Sequence, residues 1–129
     1  MKATDLIIGS LVSVDGEAYR VTELTKSKAI VVSCENKFMR KSVSISDLNG
    51  VPLTTEIMDE NFGERVWTDF RKIEWAVEKN SCFSISQDKL NDSFSLEHNL
   101  QDGIWMYFEY VHRVQQWLNF QEIKKNIKL

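Results

Sequence analysis

Three features of the chain predict an α+β fold. The first fifty residues break into short apolar runs separated by turn-forming residues, and the segment 110–120 spaces its large side chains as a helix does. Between them, strand-like alternation returns.

The N-terminal elements follow in order. "LVSV" (11–14) leads into Asp15-Gly16, a pair that tolerates the positive φ angles of a tight hairpin turn. "EAYRVTEL" (17–24) returns, "TKSK" turns the chain into "AIVVSC" (29–34), and "ENK" turns it into "FMRKSV" (38–43). Four strands joined so tightly predict a meander that curls into a barrel. After "SDLN", "GVPL" (50–53) is the candidate closing strand, and Pro52 confines it to an edge. The expected architecture is an N-terminal Src-homology-3-like small β-barrel over 1–53. Over 54–129 it continues as a short helix and an antiparallel β-sheet packed with a C-terminal α-helix.

In that second part Thr54 caps a short helix. Glu56 sits in its first turn, Leu53 and Met58 form a hydrophobic staple, and Gly63 supplies the stop. Across 64–80, Trp67, Phe70, Ile73 and Val77 keep helical spacing, whereas Ile73, Trp75 and Val77 alternate. A strand at 72–78 is preferred, because "EKNS" then turns into "CFSIS" as a hairpin. "SFSLEH" (93–98) and "IWMYFE" (104–109) add two strands around an Asp102-Gly103 turn.

On the wheel of the last helix, Tyr110, Val111, Val114, Trp117, Leu118 and Ile123 make a broad apolar face. Glu109, His112, Arg113, Gln116 and Asn119 oppose it. His112 and Gln116, four residues apart, are expected to face water or a partner. His112, Arg113 and Gln116 are therefore the candidate partner-contact residues, while Trp117 is expected in the core.

Composition narrows the function. Sixteen Lys and Arg against nineteen Asp and Glu leave a net charge of −3, which argues against generic nucleic acid as partner. Residues 51–100 are the acidic part, with five basic and ten acidic groups. The lysine-containing end "QEIKKNIKL" reads as a solvated tail. Cys34 and Cys82 lie in apolar stretches and are expected as buried free thiols in a reducing cytoplasm. No apolar run reaches the roughly 20 residues of a membrane span. The spacing of two cysteines and two histidines lacks the local pairs of a zinc site, and no phosphate loop or catalytic motif is present. Asp59-Glu60, a turn beyond Glu56, read as an acidic helix surface. No cofactor, metal or catalytic residue is expected. Aromatic side chains are concentrated in the second half, where they serve a core of large side chains or a binding surface.

Three stretches, "DLIIGSLVSVDGEAYRVTEL" (5–24), "ISDLNGVPLTTEIMDENFG" (45–63) and "YVHRVQQWLNF" (110–120), resemble a family of small uncharacterised proteins. These occur in Bacteroidetes prophages and other mobile elements, with an "LRIGNLV … IPLTEE … YVHQLQNLYFALTG" pattern. Ser10 stands where that pattern has Asn, Arg113-Val114 where it has Gln-Leu, and no Gly ends the last helix. The resemblance implies an intracellular accessory protein and carries no catalytic residue. The expected function is a non-enzymatic interaction module for an unidentified protein partner. The alternative is a nucleic-acid-binding accessory protein using Arg20, Lys26, Lys28, Lys37, Arg40 and Lys41.

Overall fold

The computed structural model describes residues 1–79, 82–99 and 101–129, and only the backbone of 101 and 102. The fold is α+β, with two antiparallel five-stranded sheets and a C-terminal helix. The chain divides into two units. One joins Met1–Pro52 to Tyr110–Ile127 and Leu129; the other is Leu53–Glu109 with Lys128.

In the first unit, Asp15 and Gly16 adopt φ of 51° and 81°, turning β1 (Leu11–Val14) into β2 (Glu17–Leu24). β3 (Lys28–Ser33) and β4 (Arg40–Ser44) continue the meander. A 3-10 turn at Ile45–Asp47 then sends β5 (Asn49–Gly50) back beside β1. The strand order is β4-β3-β2-β1-β5, so the ladder is open at β4 and β5 and the sheet does not close into a barrel. The expected closing strand 50–53 is shorter than predicted. Pro52 has no N–H to extend a ladder, and it forms only an isolated bridge to Tyr110. One sheet face buries Val12, Val14, Tyr19, Val21, Ala29 and Val31 under Leu6, Ile45 and Leu48.

Helix α2 (Val111–Phe120) completes this unit by packing on β1, where the sequence reading had it covering the second sheet. The reason is a matter of polar groups. β1 begins with an N–H at Leu11 and follows a carbonyl at Gly9, and the Gln115 side chain meets both, at 2.7 and 2.9 Å. The terminal segment is packed as well: Ile127 is buried, and its carbonyl accepts from Arg20 at 3.0 Å. The solvated-tail reading is corrected accordingly.

The second unit is inserted in the chain of the first, and its ends meet where Leu53 N donates to Glu109 O at 3.0 Å. α1 (Thr55–Phe62) starts at Thr54, whose hydroxyl accepts from Ile57 N, and stops at Gly63 with φ 72°. Leu53 and Met58 are both buried. β6 (Arg65–Thr68), β7 (Lys72–Ala76), β8 (Phe83–Asp88), β9 (Phe94–His98) and β10 (Gln101–Phe108) form an antiparallel meander in sequence order. β6 was not expected; the strand preferred at 72–78 is present as β7. Part of the "EKNS" turn lies outside the described residues. Gly103, expected in a turn, has φ 113° at a shift of register inside β10.

Trp75 is fully buried in this sheet and shows what fastens α1 to it. Its Nε1–H donates to Asp59 at 3.0 Å, and Arg65 closes over it with two hydrogen bonds to the same carboxylate. The Arg65 hydrogen bonds hold the Asp59 carboxyl below its ordinary pKa. Asp59 is thus a packing residue of the helix and more than part of an acidic surface. Both cysteines are exposed, contrary to the buried thiols expected, because each lies just outside a strand. No helix among the described residues is long and apolar enough to cross a membrane.

Gly50 lies directly against the Tyr110 ring, so that a Cβ there would overlap Cβ, Cγ and Cδ1 of the tyrosine. Gly50→Ala should destabilise the fold by roughly 1–3 kcal/mol, as overpacking does; urea melts of the variant check this.

Candidate functional site

Side chains of a strand alternate between two faces, so the register of the second sheet assigns each residue to a side. One row across all five strands is Trp67, Glu74, Ser86, Ser95 and Tyr107. Beside it run Ala76, Ser84, Glu97 and Ile104. The opposite face holds Ile73, Trp75, Ile85, Phe94, Leu96 and Phe108, all buried. The first face is therefore a floor of serines and two glutamates with aromatic side chains at its margins.

Floor groups are joined. Ser84 Oγ donates to Glu74 at 3.1 Å and Ser86 Oγ to Glu97 at 3.1 Å. Lys72 Nζ lies 3.9 Å from Glu74 and 3.8 Å from Glu97. Over one side of this floor opens a cavity of about 450 Å³, bordered by Tyr107, Ile104 and the β8–β9 turn.

At the other margin the β6–β7 hairpin exposes Val66, Trp67 and Phe70, the last two at 53% and 84%. Asp69 fixes this hairpin. One of its oxygens accepts from the N–H groups of Arg71 and Lys72 at 2.7 and 2.8 Å, the other from Trp67 Nε1 at 3.0 Å. The Lys72 N–H, with help from Trp67 and Arg71, lowers the Asp69 pKa. Trp67 is thereby held in one orientation while exposed.

The residues singled out on the last helix do not form one surface. Arg113 and Gln116 do come together, 3.2 Å apart, and each also reaches the N-terminal segment: Arg113 to Asp5 at 3.5 Å and Gln116 to Thr4 O at 2.9 Å. His112 is only 3% exposed, which corrects the prediction that it faces water or a partner. The buried arc of α2 is Val111, His112, Val114, Gln115 and Leu118, while Trp117 is half-buried. At 100° per residue this arc is rotated from the apolar face toward Gln115. The helix follows the polar groups at the start of β1, and His112 is carried inward with it. Its ring stacks on Tyr110, with centroids 5.6 Å apart, and its Nδ1 has no hydrogen-bond partner among the described residues. Burial lowers its pKa; Arg113 and the N-terminal amine add to this, and Asp5 opposes it.

The basic residues of the first unit are divided. Arg20 is occupied by Gly9 O and Ile127 O, and Arg40 pairs with Glu23 at 3.1 Å. Lys41 lies over the Tyr19 ring, and its register with Val31 puts it on the face opposite Arg40. Lys26, Lys28 and Lys37 are exposed at or beside turns. Among the described residues no group of three His, Cys, Asp or Glu side chains could hold a metal ion.

No protein-family model, curated protein or solved structure matches the chain.

Two signals for the second sheet were present but unread. Serines at every second position of "CFSIS" and "SFSLE" mark a narrow polar face. "WTDFR" places an Asp between two aromatics at a turn.

Two outcomes are expected. Gln115→Ala leaves the buried Leu11 N–H without a partner and should cost about 1–3 kcal/mol, measured by urea unfolding. His112 is held neutral in the folded state, so the unfolded chain takes up its proton first as pH drops. Stability should be full above the ordinary value of 6.5 and decline below it. His112→Phe keeps a ring against Tyr110 but removes the titration. Its melting temperature should fall less than that of the parent between pH 7 and 5.

Proposed function

We propose that this chain is a non-enzymatic protein-binding module, belonging to the mobile-element family whose segments it resembles, with the β6–β7 hairpin as its contact surface. The observation that carries this reading is the exposed Val66, Trp67 and Phe70 on a hairpin whose tryptophan is already oriented by Asp69. Large rigid aromatics supply most of the binding energy in protein interfaces, and little side-chain freedom is lost when one is fixed beforehand.

Phosphate is a poor fit to this surface. Residues 51–100 hold twice as many acidic as basic groups, and Arg65 is engaged by Asp59. The divided cations of the first unit likewise favour a protein over nucleic acid. Its meander, with a 3-10 turn before a fifth strand laid beside the first, is read as a Src-homology-3-like roll. Two exposed free thiols suit a reducing, cytoplasmic setting.

Affinity purification from the native host, with and without nuclease, tests the reading. A protein partner should remain after nuclease treatment. Trp67→Ala combined with Phe70→Ala should weaken its binding by at least about 30-fold, the equivalent of one hot spot. Retention of the partner by the folded double variant would exclude the hairpin, and loss of all binding on nuclease treatment would favour nucleic acid.

A further inference from the structure

The cavity on the serine face reaches from Ile104 and Tyr107 to Arg71 and Lys72 at the end of the β6–β7 turn, and its lining does not include the exposed Val66, Trp67 and Phe70 of the hairpin. Its lining carries both signs of charge. Arg71 and Lys72 face it as cations, Asp88 and Glu97 as anions. An anionic ligand would meet two carboxylates there and a cationic one would meet two cations, so neither has a net advantage. Hydroxyl groups, which donate and accept at once, can pair with both kinds of lining group.

A second observation concerns Ser95. It is 6% exposed and lines the cavity, yet its hydroxyl has no hydrogen-bond partner among the described residues. Ser84 and Ser86, its neighbours on the same face, both have one. A hydroxyl without a protein partner, on a residue that lines the cavity, keeps its capacity to donate and accept for a ligand. The wall beside it is the Tyr107 ring, 64% exposed and opposite Ser95 in the ladder. An exposed ring beside a polar floor suits a molecule with an apolar C–H face and hydroxyls around its rim. The cavity volume, about 450 Å³, lies within the range of small-molecule sites.

The geometry points to a saccharide site. One uncharged sugar ring lies against Tyr107, with its hydroxyls on Ser95, Glu97 and Lys72. The test is an NMR titration of the full chain with the methyl glycosides of glucose, galactose, mannose and N-acetylglucosamine. Arginine amide and inorganic phosphate serve as charged comparisons.

At least one glycoside should shift the amide resonances of Ser95, Glu97 and Tyr107 saturably, with Kd on the order of millimolar. Tyr107→Ala should weaken that binding about 10-fold and Ser95→Ala about 5-fold, as loss of a ring contact and of one hydrogen bond would. Neither substitution removes a core contact, so both variants remain folded for the comparison. The proposal is overturned if no glycoside moves these resonances at about 50 mM, well above a millimolar Kd. Tighter binding of arginine amide or phosphate than of any glycoside also overturns it, as does glycoside binding that survives both substitutions unchanged.

Discussion

The side-chain amide of Gln115 is the contact on which the first unit depends. It accepts from the Leu11 N–H and donates to the Gly9 carbonyl, joining groups 104 and 106 residues apart. The Leu11 N–H would otherwise be buried without a partner at the start of β1, whereas the Gly9 carbonyl also accepts from Arg20. An unmet buried amide costs more than a made hydrogen bond contributes. An apolar side chain at 115 would pack, but it would leave the Leu11 N–H unmet. The rotation of α2, the burial of His112 and the partial exposure of Trp117 all follow from turning this amide toward β1.

Such a closure demands that the chain return from its excursion to the point where it left. Val111 N donates to Val51 O at 2.9 Å in the first unit, while Leu53 N and Glu109 O are paired in the second. The insert therefore begins and ends at adjacent positions, as tolerated insertions do. Its own meander makes contacts between neighbouring segments, whereas the first unit must wait for its last twenty residues. Pairings so distant in sequence slow folding, because loop closure precedes the gain.

Within the insert, alternation separates two kinds of chemistry. Large apolar side chains on one face leave α1 to fasten itself through Asp59, Arg65 and Trp75. On the other face small serines lie low enough to leave a hollow between flanking side chains. Both edge strands carry a shift of register, β6 near Val66 and β10 near Gly103 and Trp105. Bulges of this kind interrupt the row of free backbone groups that would recruit another strand. The contact proposed for this unit is accordingly one made by side chains and not by added backbone pairing.

Local order was legible in the sequence. The Asp15-Gly16 turn, β2, the Thr54 cap and the Gly63 stop depend on neighbouring residues, and each stands where the residues predict it. Strand alternation in "KIEWA", "FSISQD" and "FSLEH" was equally local. What the tertiary structure alone decided was pairing over distance. Helical spacing identified α2 but not the sheet it packs on, because an apolar stripe fits either sheet. The wheel put His112 among polar residues because it counts hydrophobicity and cannot see an N–H waiting at Leu11. Exposure of Trp67, Phe70 and Tyr107 was hidden for the same reason: an aromatic on a strand reads alike whether a neighbour covers it or not. The hollow beside Ser95 exists only once β8, β9 and β10 are in register.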